Sequence, residues 1–570
     1  MKKRTISAML ACIMLVSMAA CNNAATSSES SSAASEVSSS AGSSHVDSSD
    51  TSETDTDSNL NPFGTLPLVK ETETLSIFTA PPAMVEDITT NDLTKYVEEL
   101  TNVKIDWQVA TTADAGQKIS LLLASNTDLP DVFMVKGGIS TEQVVSYGSQ
   151  GYFVPLNDFA ANPETNLAKC YEARPVSKGA SIAPDGNIYF FPIQDESYHV
   201  SYSSKYWLNT DWTERLGLEI PTTIDEFYEV LKAFRDNDAN GNGDPNDEVP
   251  CAGGLHNFLL NSFVYSAGKD NWLYLEDGVV TPTITQDGFK EALKFYQKLY
   301  QENLLAKEIF IISGNQLKML SGDENGNCLG GTDRQSMGGF VDFGTGRQMD
   351  YTAIAPLTGP TGLKQTPLSH FNPTPGFLIT KDCENPELAM RWADLFMADP
   401  MTNTDYINLH YGVEGRENTW AKAEEGEIAL DGTQALYKWT FNWGDTLNTH
   451  WYTSVGPCFR SQEFKSAIVA DTSSWNQEVV LYNATKENYA PYGADKSLPQ
   501  LLMTEADAQA ISESKTLINS YVAETMARLV TTDADIEAEW PGFLKELDNM
   551  GLQQYITSTQ NAYDAQYGNL

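Results

Sequence analysis

The sequence predicts an α/β protein of two lobes with a helical C-terminal region, and three observations predict it. Apolar periodicity alternates between that of a strand and that of a helix over the first stretch past residue 70, in the order strand, helix, strand, helix, strand of a parallel sheet. Setting aside a leader and a polar tether leaves roughly 510 residues, too many for one small core and natural for two. Residues 440–570 read as mainly helical, with 506–529 the longest unbroken pattern.

Lys2, Lys3 and Arg4 precede an apolar run over residues 6–20 that stops at Ala19-Ala20-Cys21. A basic start, a short apolar stretch and small residues at the cut describe a secretory signal. A membrane-crossing helix needs about 20 apolar residues, more than this run supplies. Met18-Ala19-Ala20-Cys21 resembles a bacterial lipobox, with Met where Leu is usual. The resemblance implies a lipoprotein signal over 1–20, lipidation (palmitate among the acyl groups) of Cys21, and anchoring on the extracellular face of the cell membrane. An ordinary signal that leaves Cys21 free is the alternative. Residues 21–64 are a tether rich in Ser, Thr, Asp and Glu; from 22 to 60 they hold no aromatic residue, Lys or Arg. Such a segment cannot bury enough apolar surface to offset its ordering entropy, and as a coil it reaches about 35 Å.

The chain carries 36 basic and 77 acidic residues, and loss of the leader's three basic ones makes it more acidic still. Nucleic acid needs basic patches to displace counterions, so that partner class is excluded. Anionic lipid headgroups are repelled too, which leaves the Cys21 anchor as the membrane contact. Past Cys21, cysteines stand at 170, 251, 328, 383 and 458 without CxxC or metal-ligand spacing, and read as small buried hydrophobes.

The elements follow in order. Leu75 and Ile77 alternate in a first strand; Leu93, Tyr96, Val97 and Leu100 give a helix face; Val103, Ile105, Trp107 and Val109 return to period two. A helix over 117–124 leads into a strand over 131–135. Residues 186–192 read as a buried strand ending in a crossover. Thr223 with Glu226 is a capping box ahead of Ile224, Phe227, Leu231 and Phe234. Phe289, Leu293, Tyr296 and Tyr300 mark a further helix, 351–357 and 376–380 are strands, and Asn385-Pro386 opens a helix through Phe396.

Several segments in this order resemble the extracellular solute-binding proteins of family 1, the maltose-binding-protein-like receptors of ABC importers, in their large lipoprotein branch. They are the early helix–strand pair, 119–131 with Asp128-Leu-Pro-Asp131, Gly151-Tyr-Phe-Val-Pro-Leu-Asn-Asp158, 186–192 followed by 206–226, Leu378-Ile-Thr-Lys-Asp382, and Tyr411-Gly-Val-Glu-Gly415. The resemblance implies a periplasmic-binding-protein-like fold of type 2, with 65–192 and 355–445 in lobe 1 and 193–354 and 446–570 in lobe 2. It implies a monomer that captures a carbohydrate, most simply an oligosaccharide, in the cleft and delivers it to the importer's permease subunits. Matching positions put Asp128, Glu196, Tyr198, Asn257 and Arg334 at that cleft. A receptor that presents its ligand to a membrane sensor, or one that binds peptides, has the same fold.

Aromatic residues supply a separate argument. Trp439, Trp443 and Trp451 crowd a segment rich in Asn, Asp, Thr and Gly, and Trp272 follows Gly268-Lys-Asp-Asn. Flat faces beside polar groups suit sugars, whose C–H faces stack while their hydroxyls hydrogen-bond. Packing in a core is the alternative for each Trp.

The sharpest local motif runs from 236 to 247. Asp236, Asp238, Asn240, Asn242, Asp244 and Asp247 place oxygen donors at EF-hand spacing, and Gly241 sits where such a loop turns. Asp stands at the last position where Glu is usual, with Glu248 next to it, and no helix follows. The reading is a structural Ca²⁺ site; the alternative is a surface turn rich in Asn, Asp and Gly. GxSxG, HExxH and P-loop motifs are absent and the six His residues have no close metal-ligand spacing, so an enzyme is not expected. A secreted glycoside hydrolase is the remote alternative, since it needs only two carboxylates about 5–9 Å apart.

Overall fold

The computed structural model describes residues 58–568 apart from 203, 323–326, 442–444 and 452–454. The signal, Cys21, nearly all of the tether and Trp443 lie outside the described residues.

The first sheet forms as the periodicity predicts. β1 (Glu73–Thr79) lies between parallel partners β2 (Val103–Val109) and β3 (Val132–Met134). The Asp92–Thr101 helix starts at Asn91, whose side chain accepts from the Leu93 N–H, and it buries Leu93 and Val97 against the sheet. The strand expected over 186–192 begins later, at β4 (Phe191–Asp195). Gly186, at φ +84°, makes a turn closed by Ala183 N–H donating to Asn187 O, and this turn uses up the front of the predicted strand.

From β4 the chain crosses through 196–204 into β5 (Lys205–Asn209), which pairs antiparallel with β6 (Gly331–Arg334) and β7 (Tyr351–Ile354). It returns to β8 (Thr374–Ile379) and later to β9 (Cys458–Arg460). The larger sheet has the order β9-β4-β8-β3-β1-β2, with β8 alone antiparallel; the smaller has β6-β5-β7. Each sheet carries its own core. Ile77, Val132, Phe191, Phe377 and Trp392 fill the larger, and Tyr206, Phe227, Leu231, Phe289 and Tyr296 the smaller.

Local signals hold well. The Thr223–Glu226 capping box is formed, Asn385 caps the Pro386–Leu395 helix, and Glu505–Thr531 is the longest helix. The division between lobes shifts. Leu357 packs in the smaller lobe's core and Thr366–Pro367 pair with Gly493–Ala494, so the second crossing lies near 368–373 and not at 355. β9 pairs with β4, and Leu447, Trp451, Phe464 and Ile468 pack in the larger core, so the third crossing follows 468 and not 445. Strand pairing decides this segment, which is largely loop with one strand and the short Gln462–Ser466 helix, not the helical run expected. The C-terminal helices return to the smaller lobe, where Ile518, Val522, Met526 and Leu529 join its core.

Lys205 is fully buried where the first crossing enters β5, and its Nζ donates to the carbonyls of His199 at 2.8 Å and Tyr202 at 2.7 Å. Burial pulls its ammonium down to about 7. The unfolded chain therefore binds more protons than the folded one between about pH 7 and about pH 10, and stability rises with pH across that window. The expected rise is about 1.4 kcal/mol per pH unit for this group alone, and the Lys205→Met variant lacks it. Paired denaturation curves of parent and variant over that window check the difference.

Candidate functional site

The carboxyl ends of β1, β3, β4 and β9 all lie at the edge of the larger sheet next to the crossings, because these strands are mutually parallel and β4 leads directly into the first crossing. In the smaller sheet the register Lys205↔Arg334 puts the end of β6 beside the same crossing. Ligands in α/β sheets bind outside the carboxyl ends of strands, so the space between these two edges is the candidate site.

A cavity of about 1130 Å³ is lined from both lobes. Phe343 of the smaller lobe bounds one side, Glu427, Lys438, Trp439 and Phe441 of the larger lobe the other, and the third crossing with Trp475, Asn476, Gln477 and Glu478 closes the end. The rings pair off: Phe343 and Trp475 have centroids 4.9 Å apart, Trp439 and Phe441 5.9 Å apart. Lys438 bridges to Glu427 at 3.0 Å, and Glu478 lies 3.7 Å from Nδ1 of His199. Burial raises the Glu478 carboxyl and draws His199 down to about 3, so this His is neutral at ordinary pH. Beneath, Asp195 at the end of β4 lies 3.3 Å from Nε of the buried Arg460 and 3.2 Å from Lys465. Burial works to raise the Asp195 carboxyl, but Arg460 and Lys465 together hold it well below the carboxylate range.

A second cavity of about 240 Å³ lies against the smaller lobe and brings together His256, Asn257, Lys269, Asp333 and Arg334. Asp333 is held by the Gly254 N–H at 2.5 Å, and Arg334 Nη1 donates to the Asp333 carbonyl at 2.7 Å. Asn257 and Arg334 thus line the same small cavity of the smaller lobe. Tyr198 stands half-buried on the first crossing, its ring 5.0 Å from that of Tyr482.

Other predicted site residues lie elsewhere. Asp128 is exposed in the loop that enters β3, at the end of the sheet away from the crossings, where Asp382 after β8 accepts from Leu129 N–H. Glu196 is 2% exposed and committed to Arg174, Gln194 and the Gln462 N–H, so it fixes the crossing. Trp272 is buried against Phe289 in the smaller core. Trp451 is buried among Trp107, Trp392 and Phe396, and its Nε1 donates to Thr94 at 2.9 Å. Trp439 does line the large cavity. Phe343, Phe441 and Trp475 do so without having been singled out. Trp475 had the same signal as Trp439, an aromatic residue in a polar run, Asp471-Thr-Ser-Ser-Trp475-Asn476.

The loop at 236–248 folds back on itself. Gly241 turns at φ +74°, Asp247 accepts from Asn240 at 3.0 Å and Asn242 at 2.6 Å, and Glu248 accepts from the Ala239 N–H at 2.8 Å. Asp244 takes part through its own N–H, which donates to Asn242 Oδ1. Asp236 turns away, in a two-point pair with Arg235 at 2.7 and 2.9 Å. Among the described residues no three His, Cys, Asp or Glu side chains already form a metal-holding cluster. One Asp238 oxygen and one Glu248 oxygen are nevertheless buried without a hydrogen-bond partner.

The model of the bacterial extracellular solute-binding protein family matches residues 83–402. The chain belongs to this family. It is 29% identical over 533 residues to the fructooligosaccharide ABC transporter substrate-binding protein FusA of Streptococcus pneumoniae serotype 4, across 89% of this chain and 92% of FusA. The solved structure of S. pneumoniae FusA with kestose is similar at a TM-score of 0.66 and 25% identity, over 87% of this chain and all of that one. That of a FusA EF-hand mutant with fructo-nystose is similar at a TM-score of 0.64 and 26% identity, over 87% of this chain and 100% of that one. The two-lobed fold of these solute-binding proteins is the fold found here.

The burial pattern separates the aromatic residues by cost. Trp451→Ala is expected to lose about 3–5 kcal/mol of stability, as core Trp truncations do. Phe343→Ala, at a rim position 38% exposed, is expected to lose less than about 1 kcal/mol. Urea denaturation of the two variants checks the contrast.

Proposed function

We propose that the protein is a lipid-anchored extracellular receptor that captures an oligosaccharide between its lobes and delivers it to the permease of an ABC importer. The observation that carries this reading is the interlobe cavity with two aromatic pairs, Phe343 with Trp475 and Trp439 with Phe441, facing Glu427, Lys438, Asn476 and Gln477. Ring faces take the C–H faces of a sugar, and the carboxylate, ammonium and amide groups take its hydroxyls. Similarity to FusA over most of both chains supports the same class of ligand. No bond is broken; function is differential affinity for the closed arrangement of lobes. The lipobox-like Met18-Ala19-Ala20-Cys21 supports the anchor.

A thermal-shift screen of the purified body against fructo-oligosaccharides, other glycans and peptides tests the ligand class. A glycan at 100-fold above its Kd is expected to add about 2.7 kcal/mol. Stabilisation by peptides alone would overturn the reading. Within the cavity, Trp475→Ala is expected to weaken glycan binding by about 1–3 kcal/mol, measured by calorimetry.

The EF-hand mutant of FusA and the residues of the 236–248 loop support calcium as a structural ion here. The buried oxygens of Asp238 and Glu248 that lack partners fit a cation, as does the turn at Gly241. Asp238, Asn240, Asn242, Asp244, Asp247 and Glu248 would hold it, and Asp236 would join only by releasing Arg235. The ion would offset the repulsion of carboxylates gathered in one loop. Burial raises the Glu248 carboxyl when no cation is present. Chelation is expected to lower the melting temperature of the parent and to leave that of Asp238→Ala unmoved; equal curves for the parent with and without chelator would leave the loop a plain turn.

A further inference from the structure

The buried cluster on one face of the larger sheet is built from residues 78–190 and Leu378, with a single exception, Leu502. Leu502 arrives from the other lobe. Just before it, the segment is fastened to the smaller lobe, where Lys496 O accepts from the Leu275 N–H at 2.8 Å and Ser497 meets the Tyr265 hydroxyl at 2.7 Å. Just after it, the chain enters the Glu505–Thr531 helix, whose Ile518 and Val522 lie in the smaller lobe's core. Leu502 itself is 3% exposed against the larger lobe's aliphatic and aromatic side chains.

A second element holds it there. Gln566, near the end of the Leu552–Tyr567 helix, accepts from Leu502 N–H at 3.1 Å and donates to Leu502 O and Ile182 O, each at 3.2 Å. Tyr567 donates to Gln500 O at 2.8 Å, and Ser146 of the larger lobe donates to Glu505 at 2.9 Å. A cavity of about 620 Å³ lies under the segment, between Thr141 of the larger lobe and Ser512 and Tyr555 of the C-terminal helices.

We infer that residues 498–505, pinned by Leu502 and Gln566, are a strap that restrains rotation of the lobes about their three crossings. The crossings are covalent, so the chain cannot part there; the strap is a fourth tie made only of apolar packing and hydrogen bonds. Gln500 N–H also donates to Asn372 of the second crossing at 3.2 Å, and a non-covalent tie of this kind narrows the range of interlobe angles in the ligand-free protein. This inference goes beyond the carbohydrate reading and holds for any ligand.

The test is the interlobe distance distribution of the ligand-free body, from spin labels on one exposed site per lobe, in the parent, Leu502→Ala and Gln566→Ala. Both variants are expected to show a broader distribution than the parent. Gln566→Ala removes only hydrogen bonds near a helix end, so it tests the strap even where Leu502→Ala fails to fold. A folded variant that melts lower but keeps the parent's distribution would show that the contacts merely pack, and the inference would fall. Failure of every glycan to bind would sink the proposed function and leave this result untouched.

Discussion

Glu196 is the group on which the rest of the arrangement depends. It is 2% exposed at the first crossing, and its carboxylate takes hydrogen bonds from Arg174, from Gln194 of β4 and from the Gln462 N–H just after β9. Two other segments, one 22 residues earlier and one 266 residues later, are thereby fixed at the place where the chain leaves the larger sheet. Breaking one side of such a buried pair costs about 3–5 kcal/mol, because the remaining charge has no water to turn to. Arg174 also pairs with Glu463, whose side chain is 64% exposed, and that contact belongs to the class worth about 0–1 kcal/mol. The buried pair sets the crossing. The exposed one trims it.

The sorting of aromatic residues follows from the same geometry. A Trp beside polar neighbours was expected to face ligand, and for Trp451 the polar neighbours do other work. Asn448 accepts from the Asp87 N–H and Thr449 donates to Asn418 O, so these side chains satisfy backbone groups of the loops that cover the core. With its surroundings thus occupied, Trp451 packs inward against Trp392 and Phe396. At Trp475 the neighbours Asp471 and Ser473 close a local turn on themselves, which leaves the ring at the cavity wall. Composition around an aromatic residue is the same in both cases; what differs is whose backbone the polar groups serve.

Elements with strong local signals were legible. The first β-α-β-α-β unit, the Thr223 capping box, the Asn385 cap and the long C-terminal helix need only periodicity and capping chemistry, which neighbouring residues fix. The lobe boundaries were not legible, because 446–468 owes its place to pairing of β9 with β4 across more than 250 residues of sequence. Asn257 and Arg334 line one small cavity of the smaller lobe, whereas Asp128 sits apart, since the turn before β3 points away from the crossings. The 236–248 loop turns at Gly241 as its EF-hand spacing suggested, yet its first carboxylate is held outside by Arg235, a neighbour whose side-chain direction no spacing rule supplies.

Two sheets, three crossings and a cleft between carboxyl ends leave one claim at the centre: an oligosaccharide sits between the lobes with its rings against Phe343, Trp439, Phe441 and Trp475. A crystal structure of the body with a bound glycan tests it most directly. The account predicts a sugar ring in contact with at least one residue of each aromatic pair and the lobes drawn closer around it. A glycan seated on another surface, with that cavity left empty, would contradict it.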